Sequence, residues 1–341
     1  MSSGENRVKW ADAFRAIMIL AIAYGHAAPG GDLKKYVYSF HVAAFFFVSG
    51  YFFKTSGLSF GQFAWKKFKS LMIPYYSFAV ISILVFFALG SFASDKLDVA
   101  IKTADLMPNV LGMLWANGRT GYMKWNLPLW FIPCLFATEL AAYPCVKRIS
   151  EKGGSKSKML LSAGALVIAL SVLNDQVLHV YGLPFHFETT VFMLPFFIMG
   201  LLCRERKLLP EFHHALIGPV CICAGYALAV YANSSVDYVT SSYGNICVFY
   251  LAAGISIIGF AGIARMLHVK ALYYLGRNSL PVLLMHKFPI VALQIVFSAL
   301  ISRTDAVGFA AAILITVISC AACLAVDIPL KRYLPFIYGR K

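Results

Sequence analysis

The sequence predicts an all-α fold: a polytopic transmembrane helix bundle of about ten spans with both termini cytoplasmic. Three observations carry that expectation. Sixty per cent of the 341 residues are hydrophobic and only 13% are charged, whereas soluble domains carry ~25% charged residues. The apolar residues gather into runs of the ~20 residues needed to cross a ~30 Å hydrocarbon core as a helix. The basic residues gather in alternate connections between those runs.

The runs are Ala11–Ala28, Tyr36–Phe53, Leu71–Phe92, Leu127–Val146, Met159–Val180, Pro184–Cys203, Ala215–Ala232, Gly244–Leu267, Ser279–Leu300 and Val307–Val326. Leu97–Leu114 is weaker and amphipathic, and reads as an interfacial or re-entrant segment. Met1–Trp10 is polar and the first run carries Asp12 and Arg15, so no cleavable signal peptide is expected. The polar connections are too short to bury a core of their own, so residues 1–341 read as a single integral membrane domain.

Charge orients the bundle. Of the 30 lysines and arginines, 21 lie in the N-terminus, in or at the edge of the connections after runs two, four, six and eight, and in the C-terminal tail. Lys66, Lys67, Lys69, Arg204, Arg265 and Arg277 are among them. The opposite connections hold seven: Lys34, Lys35, Lys96, Lys102, Arg119, Lys124 and Arg303. Cytoplasmic loops collect Lys and Arg, which places both termini inside. The net charge of +15 then describes topology and contact with anionic lipid in the bilayer. No basic face with groove-reading or base-stacking elements is present, which excludes a nucleic-acid partner. Most of the eight cysteines fall inside apolar runs. Cys320 and Cys323, although spaced as a redox pair, read as small buried residues. Neither a glycine-rich phosphate loop nor a metal-ligand spacing occurs, so no metal and no ATP-driven pumping are expected.

Ionisable side chains inside the apolar runs are the candidates for function, because at mid-membrane each costs ~2.5–3.5 kcal/mol on insertion scales. The first run concentrates them as Asp12, Arg15 and His26. Asp12 and Arg15 are three apart and share a helix face. Arg15 and His26 are eleven apart, about 20° past three full turns, so they share a face ~16 Å apart along the axis. The plainer alternative is an Asp–Arg pair that joins two helices, with His26 at the interface. The second run opens on Tyr38-Ser-Phe-His41, and the short connection between the runs brings His26 and His41 to matched depth. Glu139 in the fourth run is a second intramembrane acid, able to orient a histidine or pair with Arg15. Glu188, beside His186, lies near the start of the sixth run, placed to meet a substrate or line the rim. His286 and Lys287 fall mid-run in the ninth, where Lys287 needs a cavity or a carboxylate. His179, His213, His214 and His268 sit at run ends and need no special account.

These residues carry a resemblance. Trp10-x-Asp12-x-x-Arg15-x10-His26, then Phe40-His41 and Phe45-Phe-Phe-Val-Ser49-Gly50-Tyr51, resemble the membrane acyltransferase family 3, integral membrane O-acyltransferases acting on carbohydrates. Lys67-Phe-Lys69-Ser-Leu71-Met-Ile-Pro74-Tyr75 is a further match. Leu129-Trp130-Phe131-Ile-Pro133-x-Leu135-Phe136 and Leu275-Gly276-Arg277-Asn278-Ser279-Leu280-x5-His286 are similar to the branch related to fucose 4-O-acetylases. The likeness runs in order from about residue 10 to 290. Two departures are Ala16, where the family usually has Gly, and Ala43-Ala44, where it is usually bulkier.

The resemblance implies an O-acetyltransferase of the bacterial inner membrane. It would take acetyl-CoA from the cytoplasm as a donor substrate, with no bound cofactor. The acceptor would be a hydroxyl of a surface or exported glycan, free or lipid-linked. The matching histidine, His26, would be the catalytic base and Arg15 would handle acyl-CoA, with His41 and Glu139 beside them. Asp12, Arg277, His286 and Glu188 would contact substrates. Some members carry an appended hydrolase-like domain, and this chain is expected to act alone or with a separate partner. The competing expectation is a proton-coupled secondary transporter of a small polar solute or glycan precursor. That class usually shows paired halves with broken helices, and no such repeat is visible in the sequence.

Overall fold

A computed structural model of the chain describes residues 8–55, 57–93, 106–118, 123–151, 154–209, 216–301, 303 and 306–339. Arg7, Lys96, Lys102, Arg119, Lys152, His213, His214, Arg340 and Lys341 lie outside the described residues, as does the first half of the amphipathic Leu97–Leu114 segment. Among the described residues the fold is helical, with one isolated β-bridge between Asp237 and Ser242.

In chain order the helices are α1 (Lys9–Ala27), α2 (Asp32–Phe52), α3 (Phe60–Lys67), α4 (Ile73–Ala93), α5 (Leu106–Trp115), α6 (Phe131–Glu151), α7 (Lys156–Leu173), α8 (Phe187–Glu205), α9 (Ile217–Tyr231), α10 (Ile246–Met266), α11 (Lys270–Arg277), α12 (Ser279–Met285), α13 (Lys287–Val296), α14 (Ser298–Ile301) and α15 (Ala306–Tyr333). Each apolar run of the sequence coincides with a helix or a helix pair.

Among the described residues, six helical stretches are long and apolar enough to cross a membrane: Phe60–Ala88, Lys124–Glu151, Lys156–Leu178, Pro184–Glu205, Ile246–Met266 and Ala306–Tyr333. The pair α12–α13, bent by 53°, passes the same test when its two helices are taken together. The other three runs differ for physical reasons. α1 and α2 have spanning lengths of 19 and 21 residues but carry Asp12, Arg15, Asp32, Lys34 and Lys35. α9 has only 15 residues.

Local chemistry marks the element boundaries. Ser59 and Gln62 form a reciprocal capping box at the start of α3, which satisfies two orphan N–H groups. Asn245 caps α10 by accepting from the amides of Cys247 and Val248. Between α3 and α4 the helix widens into a π turn over Phe68–Met72, just where Pro74 has no N–H to return to the preceding turn. Pro289 has the same effect four residues after Met285. Its ring displaces the i−4 bond, and the helix breaks at His286 between α12 and α13.

The chain packs as two compact units. The first comprises Met1–Phe52, Met199–Val236 and Tyr243–Leu324. At its centre α1 packs against α2, α10, α11, α12 and α13, and its contact faces are lined by Ala11, Ala13, Ala16, Ala23, Gly25 and Ala27. Small residues let helix backbones approach closely, the usual basis of helix association in lipid. The same device joins α9 to α10, where a Cβ on Gly259 would stand 2.9 Å from both the Cys221 Cβ and the Gly218 carbonyl. The second unit comprises Phe53–Ile198, Asp237–Ser242 and Ala325–Lys341. In it α4 packs on α5 and on the short turn Pro335–Tyr338, and α6 packs on α3, α7 and the turn Pro184–His186.

The tightest approach that bears on function is between α11 and α1. A Cβ added to Gly276 would overlap the main-chain carbonyl of Asp12, and backbone cannot yield as a side-chain tip does. Gly276→Ala is therefore expected to destabilise the protein by about 1–3 kcal/mol or more. Gly61→Ala, in α3 with nothing within 4 Å of the new methyl, is expected to be neutral or stabilising. Thermal unfolding of the two variants in the same detergent measures the contrast, and equal midpoints would remove the close-approach argument.

Candidate functional site

Both ends of α1 carry polar constellations within the first unit. At the N-terminal end Asp12 is 1% exposed. It accepts a hydrogen bond from Arg277 Nε at 3.1 Å and pairs with Arg15 Nη1 at 3.5 Å. The Asp12–Arg15 pairing expected from their spacing is present, and Arg277, 265 positions away, joins it because Gly276 lets α11 close on the Asp12 backbone. Side-chain exposures of 27% for Arg15 and 47% for Arg277 leave both guanidiniums partly open while their carboxylate is not. The Arg15 guanidinium stands 5.2 Å over the Phe52 ring, and Trp10 packs on Phe14, Tyr51 and Phe52.

One carboxylate thus braces two guanidiniums, leaving a net positive charge. Planar guanidiniums held in a fixed orientation bind phosphate and carboxylate in bidentate fashion. The arrangement is suited to an anionic group.

At the opposite end, α1 exposes its last carbonyls, which have no intrahelical partners. Side chains supply them. Lys34 Nζ donates to Ala28 O at 2.8 Å. Gln294 Nε2, from α13, donates to His26 O at 3.0 Å and Ala27 O at 3.3 Å. These caps hold the residue bearing the His26 ring against α13.

Three imidazoles and a phenol cluster there. The His26 ring centroid lies 5.2 Å from that of His286 and 6.3 Å from that of Tyr38, and Tyr38 lies 5.1 Å from His41. His41 Nδ1 donates to Val37 O at 2.6 Å. His286 Nδ1 donates to Leu283 O at 2.9 Å and Val282 O at 3.1 Å. Because a carbonyl only accepts, both nitrogens carry the proton in the neutral rings, and in each ring Nε2 holds the lone pair. Neutral imidazoles with defined lone pairs are the chemistry of general bases.

His26 and His41, expected from the sequence to face each other, both lie against the Tyr38 ring. His286 joins from a helix break that the run pattern did not reveal. Tyr38, Lys34 and Gln294 were not singled out by sequence reasoning. Tyr38 stands three residues before His41, which is the signal available for it; no local pattern marks Gln294 as a cap for a helix 268 residues away.

Glu139 and Glu188 belong to the second unit and are occupied there. Glu139, buried in α6, pairs with Lys67 Nζ at 2.8 Å, a partner other than the histidine or Arg15 considered from sequence. Glu188 accepts from Asn117 Nδ2 at 2.9 Å and from the amides of Leu183 and Gly182 at 3.1 and 3.3 Å. Beside it, buried His186 accepts at Nε2 from the Gly118 amide at 3.1 Å, and its ring lies 4.8 Å from that of Trp130 with the planes tilted by 53°. Carboxylates so engaged hold loops, and here they tie residues 117–118 to 182–188. Cys320 and Cys323 are buried thiols, as expected. Among the described residues no cluster of metal-ligating side chains occurs.

A cavity of about 180 Å³, lined by Tyr24, Ala28, Asp32, Arg303 and Phe309 among others, opens on the other side of α1. Tyr24 and Ala28 are each two residues from His26, some 200° around the helix, so this space is separate from the imidazole cluster.

A search of curated proteins finds no match to the chain. A family model described as an acyltransferase domain matches residues 8–326, a stretch that contains both constellations on α1, all three imidazoles and both guanidiniums. The chain therefore belongs to acyltransferase family 3, a family of membrane acyltransferases.

Proposed function

We propose that the protein is an O-acetyltransferase that moves an acetyl group from cytoplasmic acetyl-CoA to a sugar hydroxyl of a cell-surface or exported glycan. It works in a bacterial inner membrane as a bundle of ten spans with both termini cytoplasmic. The observation that carries this reading is the placement of two different chemistries at the two ends of α1: guanidiniums braced by Asp12 at one end, and the His26, His41 and His286 imidazoles at the other. With the charge asymmetry of the loops, the guanidiniums fall on the cytoplasmic side, where the donor is made.

In this reading Arg15 and Arg277 take the phosphates of the donor, and its pantetheine arm carries the thioester along α1 toward His26. His26 takes the proton of the acceptor hydroxyl as the oxygen attacks the thioester carbonyl. When the tetrahedral intermediate collapses, the carbon–sulfur bond breaks and the thiolate of CoA receives that proton. Carbonyl carbon, oxygen and sulfur exchange partners with no oxidant, metal or further reactant. Asp12 orients the guanidiniums through its hydrogen bond from Arg277 and its pairing with Arg15.

A second reading, a proton-coupled transporter, draws on the broken α12–α13 pair, since transporters build sites at broken helices. Among the described residues this pair has no bent counterpart, which favours the enzyme.

Purified protein in nanodiscs, supplied with labelled acetyl-CoA and glycan extracted from cells lacking the gene, tests the assignment. His26→Ala is expected to lower transfer by about 10²–10⁴, the usual contribution of a general base, while remaining monodisperse. Arg277→Ala is expected to raise KM for acetyl-CoA roughly ten- to a hundredfold, on the ~1.5–3 kcal/mol scale of hydrogen bonds to charged groups, with little change in kcat. Solute or proton flux through proteoliposomes without any acetyl transfer would replace the enzyme reading with the transporter.

A further inference from the structure

His286 is fully buried, and its two ring nitrogens have different fates. Nδ1 is committed to the carbonyls of Leu283 and Val282, at the break between α12 and α13. Nε2 is buried without a hydrogen-bond partner. Leaving a buried acceptor unsatisfied costs ~1–3 kcal/mol, and such a group in a folded protein calls for an explanation. The Nδ1–H bonds also fix the tautomer, so Nε2 is a lone-pair acceptor and cannot be a donor in the neutral ring.

The neighbour of that ring is His26, with centroids 5.2 Å apart and planes at 44°. A linear N–H···N bond of ordinary length, ~2.9 Å, between two imidazoles separates their centroids by roughly this distance. Catalytic hydrogen bonds are often open in a ligand-free site and tighten in the complex.

We propose that His286 is a positioning residue for His26: its Nε2 accepts the N–H of the His26 ring, fixing which His26 nitrogen carries the proton and turning the other, with its lone pair, toward the acceptor hydroxyl. This is the task of the third group in a nucleophile–base–orienter arrangement, carried out by an imidazole whose own tautomer is set by main-chain carbonyls. A neutral orienter avoids placing a carboxylate in the apolar interior, where an ion without a partner is costly. The inference rests on the acetyltransferase reading for its consequence, although the His26–His286 bond is a structural statement that can be measured by itself.

Two substitutions separate the nitrogens. His286→Asn reproduces the Nδ1–H donor to the Val282 and Leu283 carbonyls but stops short of Nε2. His286→Gln carries an amide to the Nε2 position and loses the short bond. Transfer to the extracted glycan is expected to fall at least a hundredfold in kcat for His286→Asn, with KM for acetyl-CoA unchanged, and to stay within about tenfold of wild type for His286→Gln. Histidine-labelled protein observed by ¹⁵N NMR should show Nε2 of His286 unprotonated and His26 in a single tautomer, with His26 populating both tautomers in His286→Asn. The proposal is overturned if Asn preserves transfer and Gln abolishes it, if both match wild type, or if wild-type His286 is protonated at Nε2. A misfolded variant leaves the wild-type spectrum to decide. If His26→Ala transfers at the wild-type rate, the acetyltransferase reading fails, and the spectra still report whether the two imidazoles are bonded.

Discussion

Asp12 is the charge on which the first unit's organisation depends. A carboxylate almost wholly removed from water is tolerable only when paired and hydrogen-bonded, and its partners come from two places: Arg15 one turn along α1 and Arg277 at the end of α11. The pairing ties the start of α1 to the end of α11, and it turns two arginines that could have dispersed into one electropositive face. Gly276 is the steric condition for this, since any side chain there would meet the Asp12 carbonyl. Electrostatics and backbone proximity therefore act on the same few atoms. Removing either would free Arg277 to swing toward solvent.

The other end of α1 is organised by hydrogen-bond satisfaction rather than by charge. Its terminal carbonyls find donors in Lys34 and Gln294, and the same reach that caps the helix brings α13 to His26. His41 and His286 use Nδ1 to bond carbonyls of their own helices, a local geometry available to a histidine one turn along from a main-chain carbonyl. Rings held in this way cannot rotate freely or exchange tautomers, which is what pre-organised acid–base chemistry requires. A single helix thus separates a guanidinium-bearing end from an imidazole-bearing end, and its length sets the distance between them.

The second unit spends its buried polar groups differently. Glu139 is matched to Lys67, and Glu188 gathers a side-chain amide and two main-chain amides around a tight turn that includes Phe185 and His186 at positive φ. Asp327 is bonded to both Lys331 and Tyr338, locking the end of α15 to the turn that follows it. These carboxylates have their acceptor capacity directed to neighbours within the unit, and they read as supports of backbone geometry.

Much of this was legible in the amino-acid order. Apolar runs of bilayer length can only be helices, because no other continuous segment satisfies its own backbone in lipid, and the positions of Arg15 and His26 on one face follow from helical periodicity alone. The Asp12–Arg15 pair, the neighbouring placement of His26 and His41, and the family resemblance were all available from local spacing. The partners of those residues were not. That Arg277 reaches Asp12, that His286 rather than a carboxylate stands beside His26, that Gln294 caps α1, and that Glu139 takes Lys67 are outcomes of which helices meet. Spacing fixes the face a side chain occupies; only the packing of small residues against one another decides what lies across from it.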